Sequence, residues 1–179
     1  MVVYGDSPGK DGWFAYAQFF DRQGVPGELR IYRGAVGIRA VAGSADGGLA
    51  MLMQVYDKAT IHGVPITGPS SNGNQPPSSL VLRLKATGSL EWLRILDDQQ
   101  AARDPWIVGA GDGRLALLLG ERSFVPGASG PSWSGGGIAI WSREGKMTWL
   151  AEKLATVTGA AFDGQGALWA IGMATLTGP

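Results

Sequence analysis

Three stretches of this chain are copies of one another, and an internal repeat of fixed spacing restricts the fold more than any residue preference does. GSADGGLAMLMQVY (43–56) aligns without gaps on GAGDGRLALLLGER (109–122), and AAFDGQGALWAIG (160–172) is a third copy with one residue inserted. In each, Asp46, Asp112 or Asp163 precedes a glycine between two apolar runs. Asp-Gly in that setting is the signature of a tight hairpin whose turn needs positive φ, which Gly accepts without steric cost. The sequence therefore predicts turns centred on Asp46-Gly47, Asp112-Gly113 and Asp163-Gly164.

A second hairpin type alternates with the first. SSLVLRLKATGSLEWLRIL (78–96) matches GGIAIWSREGKMTWLAEKL (136–154) through Gly88 with Gly145 and Trp92 with Trp149. GWFAYAQFFDRQGVPGELRI (12–31) is a weaker third copy, keeping Gly24 and an Arg-Ile pair but carrying Glu28 where the others have Trp. Two hairpins in succession make four antiparallel strands in a unit of about 50 to 65 residues. The rest of the chain agrees with an all-β reading. Gly is abundant, 29 of 179 residues, while the 45% apolar content supplies enough core to exclude disorder. Apolar residues fall in short runs bounded by Gly, Asp, Pro or Ser, and helical periodicity does not persist over a dozen residues. The nearest helix candidate, LDDQQAARDPW, is limited to a turn or two by Pro105.

At the level of the unit, ATGSLEWL and REGKMTWL resemble the third-to-fourth strand hairpin of quinoprotein-like propeller repeats. A Gly-Asp-Gly hairpin, a variable loop and then VLRLKATGSLEW is similar to the bacterial seven-bladed-propeller repeats of the SBBP type. The resemblance implies an all-β, β-propeller-like fold of about three four-stranded antiparallel blades. It carries no catalytic residue. Complete blade equivalents are expected at 36–96 and 105–154, with a split blade from 155–179 and 1–35, all in one domain. Because propellers typically close with four to eight blades, three imply part of a larger ring, two copies joined head to tail, or sheets packed in another way. The terminal strands MVVYG and GALWAIGMATL are both apolar and compete for one position in the split blade. Their edges are expected to be covered by a protein partner or a second copy, since uncapped apolar edges invite pairing.

The side-chain inventory excludes several chemistries. No Cys means no disulfide framework and no thiolate metal site, and 15 basic against 15 acidic residues argue against nucleic acid. No apolar run approaches a membrane span, and MVVYGDSPGKDG lacks the regions of a signal peptide, so a cytoplasmic setting is expected if the chain is complete. Each hairpin Asp offers one oxygen donor where a calcium loop needs several, which favours turn chemistry. Neither G-x-S-x-G nor a P-loop occurs, GAGDGR lacks what nucleotide binding requires, and adjacent Asp97 and Asp98 would point to opposite sides of a strand. Cofactors are expected to be absent.

Trp92 and Trp149, matched after a hairpin turn, are expected to fill gaps between sheets. Two residues remain as binding candidates. Trp133 stands in the small, polar PGASGPSWSGGG, and an exposed loop Trp is a binding anchor. His62, the only histidine, lies in a connector of more than 20 residues, DKATIHGVPITGPSSNGNQPPSS, expected with 123–136 to be the least regular part of the chain. The leading functional expectation is a non-enzymatic interaction module whose variable loops meet a protein, with a glycan as second choice. Weighed against it are a fragment or subunit of a quinoprotein-like propeller enzyme and a structural repeat segment of a larger assembly.

Overall fold

A computed structural model describes residues 2–9, 12–21, 23–68, 78–96, 106–119, 136–154 and 157–172. Among them every regular element is a β-strand, and no helix is long and apolar enough to cross a membrane. The fold is thus all-β, and every pairing among the described strands is antiparallel. The segment LDDQQAARDPW lies almost wholly outside the described residues, as do Asp97, Asp98 and 123–135.

The strands are β1 (Val2–Gly9), β2 (Gly12–Phe20), β3 (Pro26–Gly43), β4 (Leu49–Ile61), β5 (Val64–Thr67), β6 (Ser78–Leu84), β7 (Leu90–Leu96), β8 (Trp106–Gly109), β9 (Leu115–Leu119), β10 (Gly136–Trp141), β11 (Met147–Leu154), β12 (Val157–Phe162) and β13 (Leu168–Gly172). A seven-stranded sheet runs β1-β2-β3-β4-β6-β7 with β5 added beside β4. A four-stranded sheet runs β11-β10-β9-β8, and β12 and β13 form a two-stranded sheet of their own.

The long β3 joins two halves of the first sheet. Its first part pairs β2 and its second part pairs β4, with the change at Gly34, where φ is 105° and the register shifts. A Cβ at Gly34 would lie 2.6 Å from the carbonyl oxygen of Lys58, so both conformation and space require glycine. The sheet consequently curls like half a barrel, bringing Ala15 and Ala17 of β2 and Tyr32 of β3 against Leu49, Met51, Met53, Leu80 and Leu82.

Strand alternation then stacks the remaining layers. In β4, Leu49, Met51 and Met53 enter the first core while Ala50 and Leu52 enter a second with Trp92, Leu115, Leu117 and Trp141. In β9, Leu115 and Leu117 face that second core, while Ala116 and Leu118 face a third with Ile138, Phe162 and Leu168. Because side chains alternate with period two, a strand buried on both faces must be apolar at every position. LAMLM and LALLL are continuous apolar runs for this reason.

Six hairpin turns share one backbone design. In each, the first residue's N–H donates to the fifth residue's carbonyl and the fourth residue, always Gly, donates back to the first: Asp21–Val25, Ser44–Gly48, Lys85–Ser89, Ala110–Arg114, Ser142–Lys146 and Asp163–Ala167. The fourth residues Gly24, Gly47, Gly88, Gly113, Gly145 and Gly166 have φ between 75° and 89°. A type I turn closed by a left-handed glycine matches the twist of the flanking strands. The third Asp-Gly turn is not centred on Asp163-Gly164. It closes at Gly166, because Asp163 is its first residue, with Oδ1 accepting from the N–H of Gln165 and Ala167 as Asp21 does from Gln23 and Val25. Replacing Gly113 by Val is expected to cost more than about 1 kcal/mol, since a β-branched residue resists positive φ; a midpoint shift in urea unfolding measures it.

The connector after β4 is more regular than expected. β4 continues to Ile61 and returns as β5, Lys58 pairing with Thr67 and Ile61 with Val64, so 57–67 is a hairpin. Ladder bonds across a two-residue turn outweigh the loop character of Gly63 and Pro65. Residues 69–77 of the connector lie outside the described residues.

Candidate functional site

The turns do not stand apart; arginines bind them to one another. Arg30 and Arg94 each follow a turn glycine by the same interval, Gly24 and Gly88, and each reaches the next turn of the same kind. Arg30 Nη1 donates to the carbonyl of Gly88, and Arg94 Nε donates to that of Gly145 at 3.1 Å. Arg114 Nη2 donates to the carbonyl of Gly166 at 2.8 Å, and Arg83 Nη1 to that of Gly113 at 2.9 Å. A carbonyl beside a left-handed glycine projects away from the strand ladder, and a planar guanidinium satisfies it while spanning to its own sheet.

Arg83 is the most enclosed of these side chains, with no exposed surface. Its Nε donates to Glu91 Oε2 at 2.7 Å, and its Nη2 donates to Asp46 Oδ2 at 2.8 Å and Ser44 Oγ at 3.2 Å. Arg143 adds a second cation, 3.0 Å from Asp46. Hydrogen bonds from Ser44 and the Gly48 amide, then the two guanidinium charges, hold the Asp46 carboxyl at about 2. Trp92 lies beside this cluster, buried, donating its indole N–H to the Arg143 carbonyl at 2.6 Å and tilted against Trp141 at 5.8 Å. The side chain of Trp149 lies outside the described residues, as does Trp133.

His62 occupies a different setting. It is the first residue of the β4–β5 turn and, among the described residues, the non-glycine residue with positive φ, at 49°. Its ring is half-buried, 5.9 Å from that of Tyr32, with Nε2 3.4 Å from the phenol oxygen. Burial and the charge of Arg30 push the imidazole below its ordinary range, and burial pushes the Tyr32 phenol up, so both are neutral near pH 7. Beside them Arg30 grips Glu28 through two bonds of 2.8 and 2.7 Å. These residues, with Thr60, Thr87 and Ser89, border a groove of about 610 Å³. Its wall offers neutral donors and acceptors over a closed ion pair, chemistry suited to amides or hydroxyls. Among the described residues no three His, Cys, Asp or Glu side chains converge on one point.

The sequence singles out His62 but not its neighbours. Tyr32, Glu28 and Arg30 belong to β3, far from His62 in sequence, and the antiparallel pairing of β3 with β4, Gly34 opposite Ala59, brings them together. The recurring Arg-Ile pair after Gly24 and Gly88 was the signal available for the clasps. Arg83 had a fainter one, a charge inside the apolar run LVLRL.

No family model matches the sequence, and no curated protein does. Among solved structures, the chain is similar to a protein of unknown function from Bacteroides caccae, at 12% identity and a TM-score of 0.34. The match covers 92% of this chain, which spans 63% of that neighbour's length. At that similarity neither fold nor function transfers.

Proposed function

We propose that this chain is a non-enzymatic interaction module, a β-propeller-type scaffold that presents the groove beside His62 to a protein segment. The stacking of a four-stranded sheet between two others, with six hairpin turns drawn from one design, supports the propeller-type reading. The arginine clasps supply the rigidity that a preformed site requires.

One observation carries the binding role: His62 is held in a left-handed conformation at the groove's rim. Non-glycine residues persist there at a cost of order 1 kcal/mol or more, and such outliers gather at ligand-binding positions. A glycine would fill the turn without that cost, as Gly63 does beside it. Exposed Leu29 and Ile31 flank the neutral groups, which favours a peptide with alternating apolar and amide contacts over a sugar.

The test compares wild type with His62→Gly on a random peptide display library and an oligosaccharide array. His62→Gly is expected to unfold at equal or higher temperature while the affinity of peptides selected on the wild type falls at least tenfold. Unchanged affinity would overturn the role of the groove, and selection of oligosaccharides alone would replace the peptide by a glycan.

A further inference from the structure

The layers of the fold form a series with an apolar face left at each end. Three cores separate four layers: β1-β2 with the start of β3, then the remainder of the first sheet, then β8–β11, then β12-β13. Among the described residues, no layer covers the far side of the first or the last.

Strand register identifies both faces. In the first layer Ala15, Ala17 and Tyr32 point into the core, so their neighbours Tyr16, Leu29 and Ile31 point outward, with Leu29 and Ile31 53% and 49% exposed. In the last layer Phe162 and Leu168 point inward, and Trp169 points outward beside Ala161 with 67% of its surface exposed. The Trp169 indole is already fixed, its N–H donating to Asp163 Oδ2 at 2.9 Å. A large, rigid, exposed aromatic is the usual anchor of an interface.

We infer that the last layer of one copy stacks on the first layer of a second copy, with Trp169 laid against Leu29 and Ile31. The contact continues the series already buried inside the chain, where each layer's face meets the opposite face of the next. Charge agrees with it. The first face carries exposed Arg33, with Lys58 beside it along the adjoining groove, whereas the last carries the ionised Asp163 next to Trp169. Two different surfaces meeting makes the contact heterologous, so it closes into a ring or extends as a fibre. Leu29 and Ile31 also flank the His62 groove, whereas Trp169 takes no part in it, so Trp169→Glu tests the stacking without touching the groove.

Sedimentation velocity over a range of protein concentrations is the measurement. Wild type is expected to self-associate, and Trp169→Glu and Leu29→Glu are each expected to weaken association at least tenfold while keeping the native circular dichroism spectrum. The decisive arm mixes the two variants. Trp169→Glu retains a sound first face and Leu29→Glu a sound last face, so the mixture should give a 1:1 dimer that does not grow. Should Leu29→Glu not fold, Arg33→Glu takes its place. A wild type that stays monomeric at high concentration, association unaffected by Trp169→Glu, or a mixture that remains monomeric would each overturn the inference.

Discussion

Replacing Arg83 by Met is expected to destabilise the chain by about 3–5 kcal/mol, the cost of leaving enclosed charges without their partner. The loss has several parts acting together. Asp46 and Glu91 lose a shared cation, and the Gly113 carbonyl loses its donor. Methionine restores the apolar volume, so the measurement isolates charge and hydrogen bonding. Arg83→Lys should recover only part of the loss, because an ammonium cannot reproduce the planar fork that serves both carboxylates and a carbonyl. Urea unfolding measures both variants, and a cost below about 1 kcal/mol for Arg83→Met would mean that the cluster does not join the layers.

The same cluster sets an acid limb. Asp46 is held at about 2 against an ordinary value of 3.8. Its folded-state value is depressed, so its contribution is complete above 3.8 and is lost as pH falls through about 2. Wild-type stability should fall across that window. In Arg83→Met the fall should be shallower but still present, since Ser44, Gly48 and Arg143 continue to favour the carboxylate.

The second large effect is expected at Trp92. Trp92→Ala should cost roughly 3–5 kcal/mol, the range for truncating a large buried aromatic. The indole packs under the next turn, where a Cβ at Gly145 would come within 2.7 Å of the ring, and its N–H is bonded across layers. Gly145→Ala should therefore also destabilise, through positive φ and through that contact. Trp92→Phe, which keeps an aromatic ring and loses the N–H, should fall between wild type and Ala. A loss near zero for Trp92→Ala would contradict the buried position.

Glycine turns and apolar runs were legible because their causes are local. Only glycine takes φ near 80° freely, so Gly24, Gly47, Gly88, Gly113 and Gly145 declare their turns through a property of one residue. Asp163 misled for an equally local reason: Asp caps a turn from its first position as well as from its third. The groove was less legible. His62 could be singled out as the lone histidine, yet nothing near it in sequence names Tyr32 or Glu28 as neighbours. DKATIHGVPIT reads as a loop from its composition, and it becomes a hairpin only because β4 and β5 satisfy one another's backbone groups.

That the chain is all-β, how its hairpins alternate and where most of them turn can be read from its residues in order. These follow from the steric freedom of glycine and the period of the strand, which act within a few residues. Only the folded chain decides that β3 runs on through Gly34, that its pairing with β4 sets Tyr32 beside His62, and that Arg83 becomes the buried tie between layers. An arginine in an apolar run can end in solvent or in a cluster, and the outcome depends on whether carboxylates and an unpaired carbonyl from distant segments arrive at its tip. That arrival is set by the packing of whole layers, whose free energy is spread over all the residues between them.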